Sequence, residues 1–149
     1  MLKDLENNTV AGYTVAPVLA VTASDVDGET VDLLGYEGVT FHAHIGAEGD
    51  DTLSGSVYFE VKVEDSADDS TWADAADADV TNTVTSISGD TGVFMLADLA
   101  GDCEDTYTAT YTGSERYVRA TLLSAGTHTN GTPIAVGYVK WGAKTNPAA

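Results

Sequence analysis

The chain is poor in several things at once. Its 149 residues include one cysteine, three prolines and six basic side chains against 24 acidic ones. A lone cysteine, Cys103, has no internal partner, which excludes a disulfide-stapled secreted scaffold and leaves a small, partly buried hydrophobe as its ordinary role. With so little proline, turns must rest on Gly, Asn, Asp and Ser. The longest apolar run near the N-terminus, Val15–Val21, falls far short of the roughly 20 residues that a spanning helix needs. No basic stretch leading into an apolar one opens the chain, so no secretory signal is read. No repeat of domain-building length stands out.

The shortage of cations leaves a net charge of −18. Such a surface repels nucleic-acid phosphates and anionic membranes, and neither is expected as a partner. The charge is also uneven. Residues 1–113 carry 23 acids against Lys3 and Lys62, a net of −21, whereas residues 114–149 carry Glu115 against Arg116, Arg119, Lys140 and Lys144, a net of +3.

What is present is strand patterning. In Val39–Ile45, apolar Val39, Phe41, Ala43 and Ile45 alternate with Thr40, His42 and His44, the period of a half-buried strand. Val57–Val63 alternates likewise, with Tyr58, Glu60 and Lys62 expected to face outward. Val15–Thr22 is β-prone, and Pro17 makes it an edge. Thr30–Leu34, Val93–Leu96, Thr106–Thr112 and Arg116–Ser124 read as further strands, and Thr132–Trp141 as the return strand of a hairpin. No amphipathic helix is convincing. The sum is an all-β fold, an antiparallel β-sandwich or barrel of roughly seven to nine short strands. It carries a flexible N-terminal arm at 1–12, a single β domain at 13–142 and a C-terminal tail at 143–149.

Sites of chemistry are sparse. Setting Gly28 at the turn position of a calcium loop puts Ala23 and Leu34 where ligands belong, so that template fails. His42 and His44 share a strand face but lack an evident third zinc ligand. No nucleophile elbow or phosphate-cradling loop appears. The acids sit in polar turns rather than in desolvated pockets, against a glycosidase pair. Tyr107, Tyr111, Tyr117 and Tyr138 offer material for a sugar-binding face, although strand tyrosines more often pack across strands. No enzyme activity, cofactor or metal is expected. The acidic run Glu64–Val80 reads as a solvated loop with Trp72 as its structural anchor.

Two segments carry a resemblance. VYFEVKVEDSADDSTWADAADADV runs from a strand into a Ser-x-Asp-x-Ser-x-Trp-x-Asp pattern, and SERYVRATLLSAGTHTNGTPIAVGYVKWG follows much later. With the opening KDLENN and APVLAV, this layout resembles a group of small virion proteins of tailed bacteriophages. Ala75 stands where that pattern has valine, and the acidity is heavier than the pattern requires. The resemblance implies a head decoration (cement) protein on the outer capsid surface, made in the host cytoplasm. Its partner would be the major capsid protein, and it would sit there as a homo-oligomer, a trimer rather than a dimer. The alternatives are a tail or fibre module and an extracellular carbohydrate- or calcium-binding β-sandwich. Because burying unpaired carboxylates is costly, the less acidic parts are the expected contacts. These are the arm with Leu2 and Leu5, and the C-terminal strands with Arg116, Arg119, Lys140, Trp141 and Lys144.

Overall fold

A computed structural model describes residues 7–20, 25–49 and 53–145. Among them ten strands follow in order: β1 (Val10–Ala20), β2 (Val26–Asp27), β3 (Val31–Asp32), β4 (Gly38–Ile45), β5 (Tyr58–Ser66), β6 (Ala73–Asp74), β7 (Val93–Ala97), β8 (Asp105–Tyr111), β9 (Tyr117–Ala125) and β10 (Thr132–Trp141). Two single 3₁₀ turns, Asp77–Asp79 and Ala100–Asp102, complete the regular structure. The strands form two antiparallel sheets. The first runs β1-β10-β4-β8; the second has β9 and β5 at its centre, with β2 and β3 beside β9, and β6 and β7 beside β5. The fold is a β-sandwich.

Alternation built these layers. The inward side chains of β4 (Val39, Phe41, Ala43) and of β5 and β9 (Phe59, Val61, Val63, Val118, Ala120, Leu122) are all fully buried between the sheets. The Phe41 and Phe94 rings stack across the core, 6.4 Å between centroids. β1 is the outer strand of its sheet, as Pro17 requires, and its pairing with β10 is interrupted between Val15 and Val18, where Pro17 has no N–H to offer the ladder. A second irregularity, at Tyr13–Val15, turns both Thr14 and Val15 inward. The Thr14 hydroxyl accepts from the Ala120 N–H (3.1 Å) and donates to the Glu29 carbonyl (2.9 Å), tying the edge of one sheet to the other.

Several expectations need correction. β1 begins at Val10, so the end of the expected arm is strand; Leu2 and Leu5 lie outside the described residues. β9 and β10 are not a hairpin. β9 pairs with β5 in the second sheet and β10 with β1 and β4 in the first, and the connection between them crosses the sandwich. His128 in that connection is buried, its ring stacked 4.1 Å from the Phe59 ring, closing that end of the core. Glu60 does not face water. Residues 81–92 fold over it, and the Ile87 N–H donates to its Oε1 at 2.6 Å. Glu64–Ser66, expected in a loop, continue β5.

Trp72 is half-buried on the outer face of the second sheet, with the Arg119 guanidinium 4.5 Å above its ring. The residue this segment sends into the core is Ala75, fully buried. Truncating Phe59 to alanine should therefore cost about 3–5 kcal/mol, whereas Trp72→Ala, losing a cation–π contact and part of a packing surface, should cost about 1–2 kcal/mol. Urea unfolding of the two variants beside the parent checks the order.

Candidate binding surfaces

The outer face of the second sheet is charged and satisfies itself. Lys62 Nζ lies 2.6 Å from Asp74, 3.0 Å from Asp90 and 3.5 Å from Glu64. Burial alone would lower the Lys62 pKa, but its bonds to Asp74 and Asp90 outweigh that and hold it above the ordinary lysine value. Arg119 lies between Glu64 (2.7 Å) and Asp27 (3.2 Å), and the Thr121 hydroxyl also donates to Glu64. Burial pushes the Glu64 carboxyl up, and the bonds from Arg119 and Thr121 more than reverse it, leaving its pKa lowered.

The acidic run is scaffold of the same kind. Asp68 accepts the N–H groups of Ser70 (3.0 Å) and Thr71 (2.8 Å), bonds that draw its carboxyl well below the usual carboxylate range. Asp65 accepts the Tyr111 hydroxyl, and Asp77 accepts the Gly92 N–H. Among the described residues, no three His, Cys, Asp or Glu side chains converge as a metal site would require.

A second surface lies at the end of the sandwich where β1 begins. Val10 pairs with Lys140 there, so the N-terminal segment enters beside the last residues of β10. Arg116 makes two bonds to Asp32, Nε to Oδ1 at 2.9 Å and Nη2 to Oδ2 at 2.7 Å, and the Arg116 bond lowers the Asp32 pKa. Lys140 Nζ donates to the Asp32 carbonyl and sits 4.1 Å above the Tyr36 ring. The Lys144 N–H donates to the Gly35 carbonyl, and the Glu37 N–H to that of Trp141. The indole lies over Gly38, where any Cβ would collide with it. Three of the cations expected at the contact, Arg116, Lys140 and Lys144, and with them Trp141, thus gather round the loop 33–37, whose Leu34 is 67% exposed. A hollow of about 320 Å³ opens between this loop, Arg116 and Lys144. Arg119 is not part of this group; it belongs to the network on the second sheet.

The third surface is the outer face of the first sheet, and register defines it row by row. Tyr13, Gly137, His42 and Thr108 lie side by side; Ala11, Val139, Thr40 and Thr110 form the next row; Ala135, His44 and Thr106 form the row beyond. These rows hold no carboxylate, lysine or arginine. The Thr40 and Thr110 hydroxyls bond at 3.0 Å, and His44 Nδ1 bonds Thr106 Oγ1 at 3.0 Å. The open edge of β8 is covered by residues 80–82, whose Thr81 and Asn82 bond its backbone. The tyrosines singled out as a sugar-binding face do not assemble one. Tyr111 is buried in the core, Tyr107 and Tyr138 pack against it, and Tyr117 lies under Arg116 on the opposite sheet. The exposed ring is Tyr13, 58% accessible, which lies in a segment with no clean alternation to mark its face.

No family model matches the chain, and no curated protein matches it. Among solved structures it is similar to the PBSX exported protein XepA, with a TM-score of 0.53 and 14% identity over 94% of this chain and 39% of that one. The chain therefore spans about two fifths of that protein's length, and the likeness is one of fold. Weaker similarity, at a TM-score of 0.43 and 12% identity, extends to the CBM22-1–GH10 modules of the Clostridium thermocellum xylanase 10B, covering 97% of this chain and 28% of that one. A protein of the disulfide-linked pili of Bacillus endospore appendages gives 0.41 and 10%, covering 91% and 89%.

The lowered carboxyl pKa values set a pH dependence. Each such group contributes stability that is complete above its unfolded pKa, near 4, and is lost as pH falls through the folded value. Asp68→Asn should lower the melting temperature at pH 7. The deficit should persist at about pH 4 and shrink steadily as pH falls below that, because the folded Asp68 value is well below the unfolded one. Thermal melts of both proteins across that range measure it.

Proposed function

We propose that this chain is a non-enzymatic head decoration protein of a tailed bacteriophage, seated on the outer capsid surface through the end of the sandwich around loop 33–37. The observation that carries the reading is the gathering of Arg116, Lys140, Trp141 and Lys144 there, beside the entry of the N-terminal segment. Residues distant in sequence contribute cations, an indole and an exposed Leu34 to one place, the composition of an interface anchor. The resemblance of the two sequence segments to small virion proteins supports the same reading. In this mechanism each copy buries a modest area against the major capsid protein and bridges neighbouring subunits. Many copies, or a homo-oligomer, multiply a weak contact by avidity. The acidic face of the second sheet stays turned away from the shell, so its carboxylates keep the partners that they already have.

Mass spectrometry of purified virions should find the protein in near-stoichiometric ratio to the major capsid protein; a handful of copies would instead indicate a tail or fibre module. Deleting residues 2–6, which precede β1, and separately Lys144→Glu, should each weaken binding to undecorated capsids while leaving the melting temperature near the parent's. The charge reversal should matter most at low salt. Parental binding by both variants would place the contact on another face.

A further inference from the structure

The outer face of the first sheet is unused by that attachment, and its chemistry is out of keeping with the rest of the molecule. In a chain with 24 acids, three successive rows across four strands carry none, and no cation either. Solubility alone would favour charges there. The face is furnished instead with neutral hydrogen-bonding groups, the Thr40, Thr106, Thr108 and Thr110 hydroxyls and the His42 and His44 imidazoles, beside one exposed aromatic ring.

The relief is specific as well. Tyr13 faces Gly137 across the β1–β10 pair, and an added Cβ on Gly137 would meet the tyrosine ring at 3.9 Å. Gly12, by contrast, lies in the inward row with Tyr138 and Phe41, where a Cβ would press on the Tyr138 ring at 2.8–3.0 Å. Bare Gly137, beside Tyr13, leaves a hollow of about 370 Å³ bounded by Tyr13, His42, His44 and Val139. That is within the roughly 300–1,000 Å³ of small-ligand sites.

We infer that this hollow binds a neutral polysaccharide. A sugar ring presents a patch of C–H groups on one face and hydroxyls around its rim. The exposed Tyr13 ring suits the first, and the His42 and His44 imidazoles of the hollow, with the threonine hydroxyls of the rows beside it, suit the second. Charge decides the class of sugar. The net charge of −18 repels polyanions, and the face has no cation to hold a carboxylate or sulfate and no carboxylate to hold an amine. The open, shallow shape favours a chain that touches several rows over a single residue enclosed in a pocket.

The test is affinity electrophoresis and titration calorimetry of the full chain against soluble glucans, mannans and galactans, with alginate as the anionic control. At least one neutral polysaccharide should bind, and alginate should not. Tyr13→Ala should weaken binding about tenfold, the loss of one aromatic contact, and His42→Ala should weaken it too. Because Tyr13 is 58% exposed, the melting temperature should stay near the parent's. Tyr117→Ala, on the opposite face, should change nothing. Failure of every neutral polysaccharide, binding indifferent to Tyr13→Ala, or alginate bound as well as the neutral chains would each overturn the inference. So would loss of capsid binding or of self-association in Tyr13→Ala without any polysaccharide bound, which would assign the face to a protein. The polysaccharide measurements use no capsid, so their outcome is independent of the attachment described above.

Discussion

The scarcity of positive charge is the constraint on which this structure turns. Six cations must serve 24 carboxylates, and two of them, Lys62 and Arg119, stand on adjacent central strands and hold Glu64, Asp74, Asp90 and Asp27 between them. Without them, the middle of the second sheet would bring these like charges together at short range, where each pair repels by about 1–4 kcal/mol depending on solvation. The network also fixes what lies around it. Asp74 is part of the short strand beside β5, Asp90 belongs to the segment folded over Glu60, and Arg119 carries Trp72 on its guanidinium.

That arrangement divides the molecule by chemistry. One outer face is an electrostatic network in which Lys62 and Arg119 hold four carboxylates, with the buried Glu60 beside it bonded through Oε1 alone among the described residues. The three rows of the opposite outer face hold no carboxylate, lysine or arginine, and their polar groups are hydroxyls and imidazoles, some already bonded to one another. The end at loop 33–37 is intermediate: Arg116 is matched to Asp32, and Lys140 is held over Tyr36, with burial lowering its pKa. Three surfaces of one small sandwich thus offer different interactions, and the connections that cross between the sheets keep them in fixed relation.

The tie through Thr14 shows how these levels depend on one another. The irregularity in β1 turns the Thr14 hydroxyl inward to the second sheet. The ladder then resumes at Val15 opposite Val136, while Tyr13 stays outward opposite Gly137. A regular β1 would place alternate residues on the two faces throughout and would lose either the tie or the buried Val15.

The sequence by itself determined the layers. Val39–Ile45 and Val57–Val63 alternate because successive side chains of a strand point to opposite faces, a local steric fact that needs no partner to be read. Pro17 likewise marked an edge through its own missing N–H. What the tertiary structure decided were matters of distant partners. Glu60 has the pattern of an exposed residue and is buried by a segment more than twenty positions away. The connection after β9 has the composition of a hairpin turn and instead crosses the sandwich, since strand pairing is a choice among whole strands that a short turn does not encode. The acidic run looks like a free surface, yet its carboxylates find donors such as Tyr111, Arg119 and Gly92 in other elements. Tyr13 shows its face only because β1 is irregular. In each case periodicity reports which side of its own strand a residue takes, and only the packed chain determines what stands on that side.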